Sequence, residues 1–497
     1  MYPILLSIFF PIFSGLFLLV RYRTPLAGTT NNTERKPLVR LTGCFLIITA
    51  VFSTVALFAG RDGLILCYLT KTLPVYFRVD NVGTVFALLV AVVMLCAGFF
   101  SFEYMKHEER EGRYYGFYLI VFGVLNALCF AGNLITFYLF FELLTLSSLP
   151  LVLHNGSREA IMAGLKYLFY SLCGAYGALF GIYFVCRNSD TLIFSAGGVL
   201  NASAVTQQSG ILLTAAFVML LGFGVKAGMF PMHAWLPTAH PAAPAPASAV
   251  LSAVIVKAGV LAIIRTVYYV FGVDFLRGTW VQTFWMILTL ITVFLGSMLA
   301  YREPVLKKRL AYSTVSQLSY ILFGLSVMDG EALTGSLLHV LAHGFIKSTL
   351  FLCAGAIIYK TGRTRVEEFR GIGKEMPLTM WCYTFVSLGL IGIPPTGGFV
   401  SKWYLAVGSL HSSVPVFSVL GPVILLVSAL LTAGYLLPLT IHGFFPGADF
   451  DYGSLQKREP CRWMTVPILV LTFLSVLIGL FPGVVTNYLA NIADALL

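Results

Sequence analysis

Residues 220–241 read LLGFGVKAGMFPMHAWLPTAHP. The stretch starts as a membrane span and stops partway: Gly222, Gly224, Gly228 and Pro231 surround Lys226. Non-helical backbone at membrane depth is tolerated only where it lines a cavity or is buried in protein. Residues 388–405, LGLIGIPPTGGFVSKWYL, repeat the arrangement, with Pro394, Pro395, Gly397 and Gly398 just before Lys402. Matched interruptions in two halves of one chain indicate a repeated transporter architecture with its sites near the breaks.

The composition around these stretches supports a membrane setting. Of 497 residues, 58% are hydrophobic and 14% aromatic, while only 11% are charged. Ordinary globular chains carry ~25% charged residues. A soluble surface cannot be wetted with so few charges, which excludes a cytosolic enzyme and a secreted disulfide scaffold. A spanning helix needs ~20 mostly apolar residues. The sequence then divides into fourteen spans: 2–20, 40–59, 82–104, 114–130, 132–153, 159–186, 209–230, 247–268, 279–300, 310–328, 333–359, 378–409, 414–442 and 465–490. The fold class expected is an all-α polytopic membrane protein. The breaks fall in spans 7 and 12, five spans apart. That spacing predicts two five-helix repeats, spans 4–8 and 9–13, the second inverted because five is odd. The corresponding units are an N-terminal three-helix segment (1–113), repeats at 114–268 and 279–442, and a C-terminal helix (443–497). Residues 61–80 alternate enough to form an external hairpin. Residues 2–20 lack a basic segment before them and a small-residue cleavage site after them, so they read as a first span, not a cleaved signal peptide.

Charge fixes an orientation. The odd-numbered loops and span ends hold 21 basic residues and the even-numbered ones hold six, out of 32 in all. The positive-inside rule places the odd loops in the cytoplasm and both termini outside, in a bacterial or archaeal cell membrane. The net charge of +11 is thus a topological signal and not a sign of nucleic-acid binding. The nine cysteines include no CxxC pair and no His/Cys cluster, so no iron–sulfur, zinc or disulfide framework is expected. Any redox chemistry would belong to another chain, and no cofactor or metal is expected in this one.

The five remaining basic residues are lysines inside apolar spans: Lys166, Lys226, Lys257, Lys347 and Lys402. Glu142, in FYLFFELLTL, is the one acid in mid-span. A charge at the bilayer centre costs ~2.5–3.5 kcal/mol on insertion scales, which is too much for a bare anchor. Lys166 lies near the start of its span and is able to snorkel to the interface. The other four are read as functional, because buried lysine readily loses and regains a proton. His339, His343 and Lys347 follow one another at intervals of four and so share one helix face. Three ionisable groups in register read as a proton relay. No carboxylate or second histidine motif completes a metal shell there. The segment 237–246, PTAHPAAPAP, carries His240 and is too proline-rich to be helical. It reads either as a rigid cytoplasmic linker or as a re-entrant link with His240 as a first proton acceptor.

Five stretches carry a family resemblance: FELLTLSSLPLV (141–152), GFGVKAGMFPMHAWLPTAHPAAPAPASAVLSAVIVKAG (222–259), KKRLAYSTVSQLSYILFG (307–324), HVLAHGFIKSTLFLCAG (339–355) and GIPPTGGFVSKW (392–403). In this order they resemble the antiporter-like membrane subunits shared by respiratory complex I, Mrp-type cation/proton antiporters and energy-converting hydrogenases. The resemblance covers roughly residues 80–440. It implies a proton path in which Glu142 pairs with Lys226, Lys257 relays towards the centre, and His339, His343 and Lys347 lead into the second half. Lys402 then gates the far side. Moving Glu142 relative to Lys226 would change the proton affinity of that lysine. A swing of two pKa units is ~2.7 kcal/mol, enough for the ~2.3 kcal/mol that one charge costs against 100 mV. Lys402, in place of an acid, looks like the lysine-bearing members, including the D subunit of Mrp-type antiporters. The chain is also expected to lack the long lateral C-terminal helix of the largest complex I antiporter-like subunit.

The resemblance implies a proton-translocating subunit of a multi-subunit complex, coupled to redox chemistry or cation flux in its partners. The alternative is a component of a multi-subunit Na+/H+ antiporter of the Mrp type, with no redox partner. A non-transporting scaffold is the third reading. The partners implied are the lipid bilayer, other antiporter-like and small membrane subunits, and iron–sulfur or hydrogenase subunits in the redox-driven members. The transported ions would be protons, with Na+ in the alternative.

Overall fold

The computed structural model describes residues 2–22, 32–58, 62–71, 73–447, 450–451 and 456–497. Arg23 and Arg61, both counted in the charge asymmetry, lie outside them. In a bilayer core only helices satisfy every backbone group within one segment, and the apolar runs accordingly fold as helices. Among the described residues, thirteen helices are long and apolar enough to cross a membrane.

Spans 1 to 6 are Tyr2–Arg21, Arg35–Leu57, Asn81–Tyr104, Glu111–Phe130, Leu134–Val152 and Arg158–Arg187. Span 7 begins as Ser209–Lys226 and stops; a short helix, Leu236–Ala242, follows after a turn. Spans 8 to 11 are Ala245–Phe271, Trp280–Arg302, Leu306–Val327 and Gly330–Thr361. Span 12 is split into Pro377–Ile391 and Gly397–Leu410, and spans 13 and 14 are Pro415–Phe444 and Arg462–Leu480. The protein is therefore a polytopic helical membrane protein, as its hydropathy predicts. Spans 8, 10 and 11 are buried along nearly their whole length, whereas spans 1, 2 and 13 turn most of their surface outward. Polar groups on spans 8, 10 and 11 are thus enclosed by protein.

The expected hairpin is present. Strands β1 (Leu64–Thr70) and β2 (Leu73–Phe77) pair antiparallel. The bond from Gly132 N–H to the Tyr76 carbonyl, 2.9 Å, pins the hairpin to the junction of spans 4 and 5.

Both breaks fall where the sequence places them. Each contains a cis X–Pro peptide, Phe230–Pro231 in one and Pro394–Pro395 in the other. Gly392 closes the first half of span 12 with φ +93°, a left-handed conformation that glycine adopts without strain. The two halves then touch backbone to backbone: a Cβ on Gly398 would lie 1.8 Å from the Gly389 carbonyl oxygen.

Three expectations are corrected. Residues 237–246 are largely helical: Pro237 and Pro246 sit in first turns, where a missing N–H breaks no bond, and Pro241 falls in the last turn of the short helix Leu236–Ala242. The span read as 465–490 ends at Leu480, and Pro482 starts a separate helix, Pro482–Asp494. Arg265, counted as a loop residue, lies inside span 8 and is fully buried.

Candidate functional site

Lys226 ends the first half of span 7. A cation is favoured there, since the terminal carbonyls of a helix carry partial negative charge. The lysine is 1% exposed. Its ammonium donates to Thr145 Oγ1 at 2.7 Å and to the Tyr167 hydroxyl at 2.8 Å. It also lies over the Tyr167 and Phe141 rings, at 4.9 and 5.6 Å from their centroids. Gly174 and Gly222 let spans 6 and 7 meet at backbone contact, which brings Tyr167 to the lysine; a Cβ on Gly222 would lie 2.4 Å from the Gly174 oxygen.

The contact expected between Glu142 and Lys226 is not formed. The lysine is held by hydroxyls instead, and the half-buried Glu142 leaves Oε1 without a hydrogen-bond partner among the described residues. Glu142 projects beside Leu139, Leu143 and Leu146, all exposed, so it borders the outer surface of the chain. Lys166 is half-buried, 6.0 Å from the centroid of the Tyr170 ring, and stands apart from the enclosed lysines. His240 is enclosed and stacks on Phe351 at 4.7 Å, so it is not part of an exposed linker.

The centre of the molecule holds the tightest grouping. A π-helical turn, Leu251–Ile255, precedes Lys257. Such turns open the regular ladder and cluster at functional sites. Here the Ala253 carbonyl accepts from Lys257 Nζ at 2.6 Å. The same Nζ meets His343 Nδ1 at 3.1 Å. An ammonium and a doubly protonated imidazole cannot share such a bond, because one atom must offer a lone pair. Lys257 and His343 thus hold at most one of the two protons between them at this contact.

Span 11 continues the line. His339 and His343 stack at 5.8 Å. His339 Nδ1 lies 2.8 Å from Ser401 Oγ and its Nε2 lies 3.1 Å from Gln317 Oε1. Lys347 donates to the Leu310 carbonyl at 3.1 Å. His339, His343 and Lys347 are enclosed and share one face, as their spacing predicts. Ser401 joins this face to the second half of span 12. Its neighbour Lys402 donates to the carbonyls of Leu390 and Ile391, at 2.5 and 3.0 Å. Those carbonyls are free because the helix stops at the break. The Tyr320 ring lies 4.9 Å below the ammonium.

The structure therefore brings Lys257, His343, His339, Ser401 and Lys402 into one connected row, with Lys347 beside it and Lys226 across span 8. The enclosed Lys226, Lys257 and Lys347 and the half-buried Lys402 each end on a neutral oxygen or nitrogen, not on a carboxylate. Thr145, Tyr167, Gln317, Ser401 and Tyr320 were not singled out in the sequence. Ser401 and Thr145, next to Lys402 and one turn from Glu142, were the nearest to a signal.

A charge pair on span 8 was also missed. Arg265, at the far end of span 8, forms a double hydrogen bond with Asp80, with Nη2 to Oδ1 at 3.0 Å and Nη1 to Oδ2. The guanidinium lies between the Phe194 and Tyr269 rings, 4.9 and 4.7 Å away. Outside the row, Asp329, Glu331 and His411 offer ligand atoms within 4.8 Å of one another, partly exposed at the start of span 11.

Comparison with known proteins adds a family. The family model described as NADH:quinone oxidoreductase/Mrp antiporter, TM matches residues 131–444. A second, NADH-Ubiquinone oxidoreductase (complex I), chain 5 N-terminus, matches residues 70–115. NADH-quinone oxidoreductase subunit N of Desulforudis audaxviator is 33% identical over 81% of this chain and 81% of its own length. Hydrogenase-4 component B of Escherichia coli is 32% identical over 84% of this chain and 64% of its own length. In fold, the chain is similar to a chain of the Mrp complex from Dietzia, with a TM-score of 0.84 and 19% identity over 100% of this chain and 98% of that one.

Proposed function

The chain belongs to the NADH:quinone oxidoreductase/Mrp antiporter transmembrane family, and on that premise we propose that it translocates protons as one subunit of a multi-subunit membrane complex. One observation carries the reading: the hydrogen bond between Lys257 and His343, in a row that continues through His339 and Ser401 to Lys402. Lysine and histidine side chains can gain or lose a proton as a neighbour changes charge, and the Ser401 hydroxyl can pass one on while staying neutral. Lys226, held by Thr145 and Tyr167, loads the row from the first half. Glu142, at the outer surface, meets a neighbouring subunit and transmits its charge state to Lys226. The loops on the Arg309 side, rich in Arg and Lys, face the cytoplasm and both termini lie outside.

Replacing Lys226 by Ala tests the reading. The complex is expected to assemble and to lose proton translocation in inverted vesicles. Translocation at the wild-type rate in the assembled variant would leave only the scaffold. The redox-driven reading is favoured over a Na+/H+ antiporter because a quinone-oxidoreductase subunit and a hydrogenase component are among the relatives, at 33% and 32% identity. Mass spectrometry of the chains that co-purify in mild detergent separates the two. Iron–sulfur or hydrogenase subunits support the first, and a set made only of antiporter-like and small hydrophobic chains supports the second.

A further inference from the structure

Span 10 turns polar groups in two directions. The Leu310 carbonyl and Gln317 face the central row. Arg309 and Ser313 face span 13: the guanidinium donates to the Tyr435 carbonyl at 2.9 Å, and Ser313 Oγ lies 2.6 Å from the Tyr435 hydroxyl. Arg309 also donates to the Glu303 carbonyl at 2.7 Å, which anchors it where span 10 begins, at the basic face of the protein. The loop before span 10 pairs there with residue Arg365 of the loop after span 11.

The first half of span 12 closes this space from the other side. Tyr383 and Ser387 lie one helical turn apart on one face and are 0% exposed. Tyr383 is the electrostatic neighbour of both Arg309 and Tyr435. Neither the Tyr383 hydroxyl nor the Ser387 hydroxyl has a well-formed hydrogen bond among the described residues. One turn beyond Ser387 are the carbonyls of Leu390 and Ile391, which hold Lys402 Nζ. Four hydroxyls thus lie between the basic face and an ammonium that the central row reaches only from the opposite side, through Ser401. Tyr383 and Ser387 meet each other without a well-formed hydrogen bond, and a buried hydroxyl left unsatisfied is costly.

We propose that Ser313, Tyr435, Tyr383 and Ser387 form a hydroxyl corridor that supplies Lys402 with protons from the basic face, on the side of Lys402 opposite the central row and in series with it. The inference rests on the reading of the chain as a proton translocator. A hydroxyl accepts through a lone pair while donating its own hydrogen. The neutral Lys402 amine takes a proton from Ser387, directly or across one water. Ser387 is replenished from Tyr383, Tyr383 from Tyr435 and Ser313, and Ser313 from solvent beside Arg309. Each oxygen gives one proton and receives one. The net change is an ammonium at Lys402 and one proton fewer in the solvent at the basic face. The hydroxyls then rotate back.

The test uses the assembled complex in inverted vesicles. Ser387→Val combined with Tyr383→Phe removes both hydroxyls at nearly constant volume. Proton translocation is expected to fall by roughly 10²-fold, the lower end for loss of a proton-transfer group. Ser387→Thr, which keeps the hydroxyl, is expected to retain translocation. A wild-type rate in the double variant, or equal impairment by Ser387→Thr, overturns the corridor. If the double variant fails to assemble, Ser387→Cys decides. Its thiol is expected to be labelled by a small membrane-impermeant methanethiosulfonate added on the basic side and not by the same reagent on the other side. Protection from both sides, or labelling from the far side, overturns the corridor. Lys257→Ala, assayed in parallel, separates the two levels: if the assembled complex with this change also translocates at the wild-type rate, the reading that this chain carries protons fails.

Discussion

Replacing Asp80 by Asn isolates the worth of the buried Asp80–Arg265 pair. Asp80 has two roles. It caps span 3, with Oδ1 accepting from the Gly83 N–H at 2.7 Å, and it neutralises Arg265. Asn caps a helix about as well as Asp, and its lost charge at the helix N-terminus costs only ~0.3–1 kcal/mol. What remains is an Arg265 guanidinium that is 0% exposed, enclosed by two aromatic rings and without a counter-charge. Removing one partner of a buried pair costs ~3–5 kcal/mol. The Asp80 side chain keeps 15% of its surface in contact with solvent, which places the expected loss near the low end, ~3 kcal/mol. Removing the second charge as well, by Arg265→Met, takes away the uncompensated cation. Asp80→Asn with Arg265→Met is therefore expected to be more stable than Asp80→Asn alone. The assay is thermal unfolding of the purified complex, run as a double-mutant cycle. If Asp80→Asn melts with the wild type, or if the double variant melts below the single one, Arg265 is not the enclosed cation described above and the reasoning fails.

Gly392→Ala tests the break in span 12. A side chain at φ +93° costs ~1–2 kcal/mol, and its Cβ would lie 3.0 Å from Lys402 Cδ. The variant is expected to assemble with a lowered melting temperature and impaired translocation, measured together on one preparation; unchanged values for both would refute the packing argument. His154, 4% exposed beyond the end of span 5, is pushed down to about 4 by burial and then by Arg113. The unfolded chain binds this proton with a pKa near 6.5 and the folded chain does not. The site's contribution is therefore complete above about pH 6.5 and is lost as pH falls towards 4, amounting to ~3 kcal/mol over that window. His154→Phe keeps an aromatic ring against Tyr114. It is expected to flatten the stability-versus-pH curve between those values, as followed by melting temperature; an unchanged slope would contradict the assignment.

The spans and the two breaks were legible because hydropathy and the Gly/Pro clusters act locally. The face shared by His339, His343 and Lys347 was legible for the same reason, since helical spacing is fixed within one segment. Pairings across the sequence were not. Arg265 meets Asp80 from 185 positions away, and nothing in a helical run announces such a partner. Glu142 and Lys226 were expected to pair because the family resemblance implies it. The structure gives Lys226 two hydroxyls instead, and the local sequence around Thr145 and Tyr167 does not distinguish them from the many other hydroxyls in the spans. The proline-rich 237–246 was misread because proline breaks a helix in its interior but fits its first turn. Composition counts prolines without placing them.

The most direct measurement is proton translocation by the assembled complex carrying Lys257→Ala together with His343→Ala, which removes both ends of the 3.1 Å contact that begins the row. The row predicts normal assembly with translocation reduced to background. Translocation at the wild-type rate in the assembled double variant would show that protons cross this protein by another route.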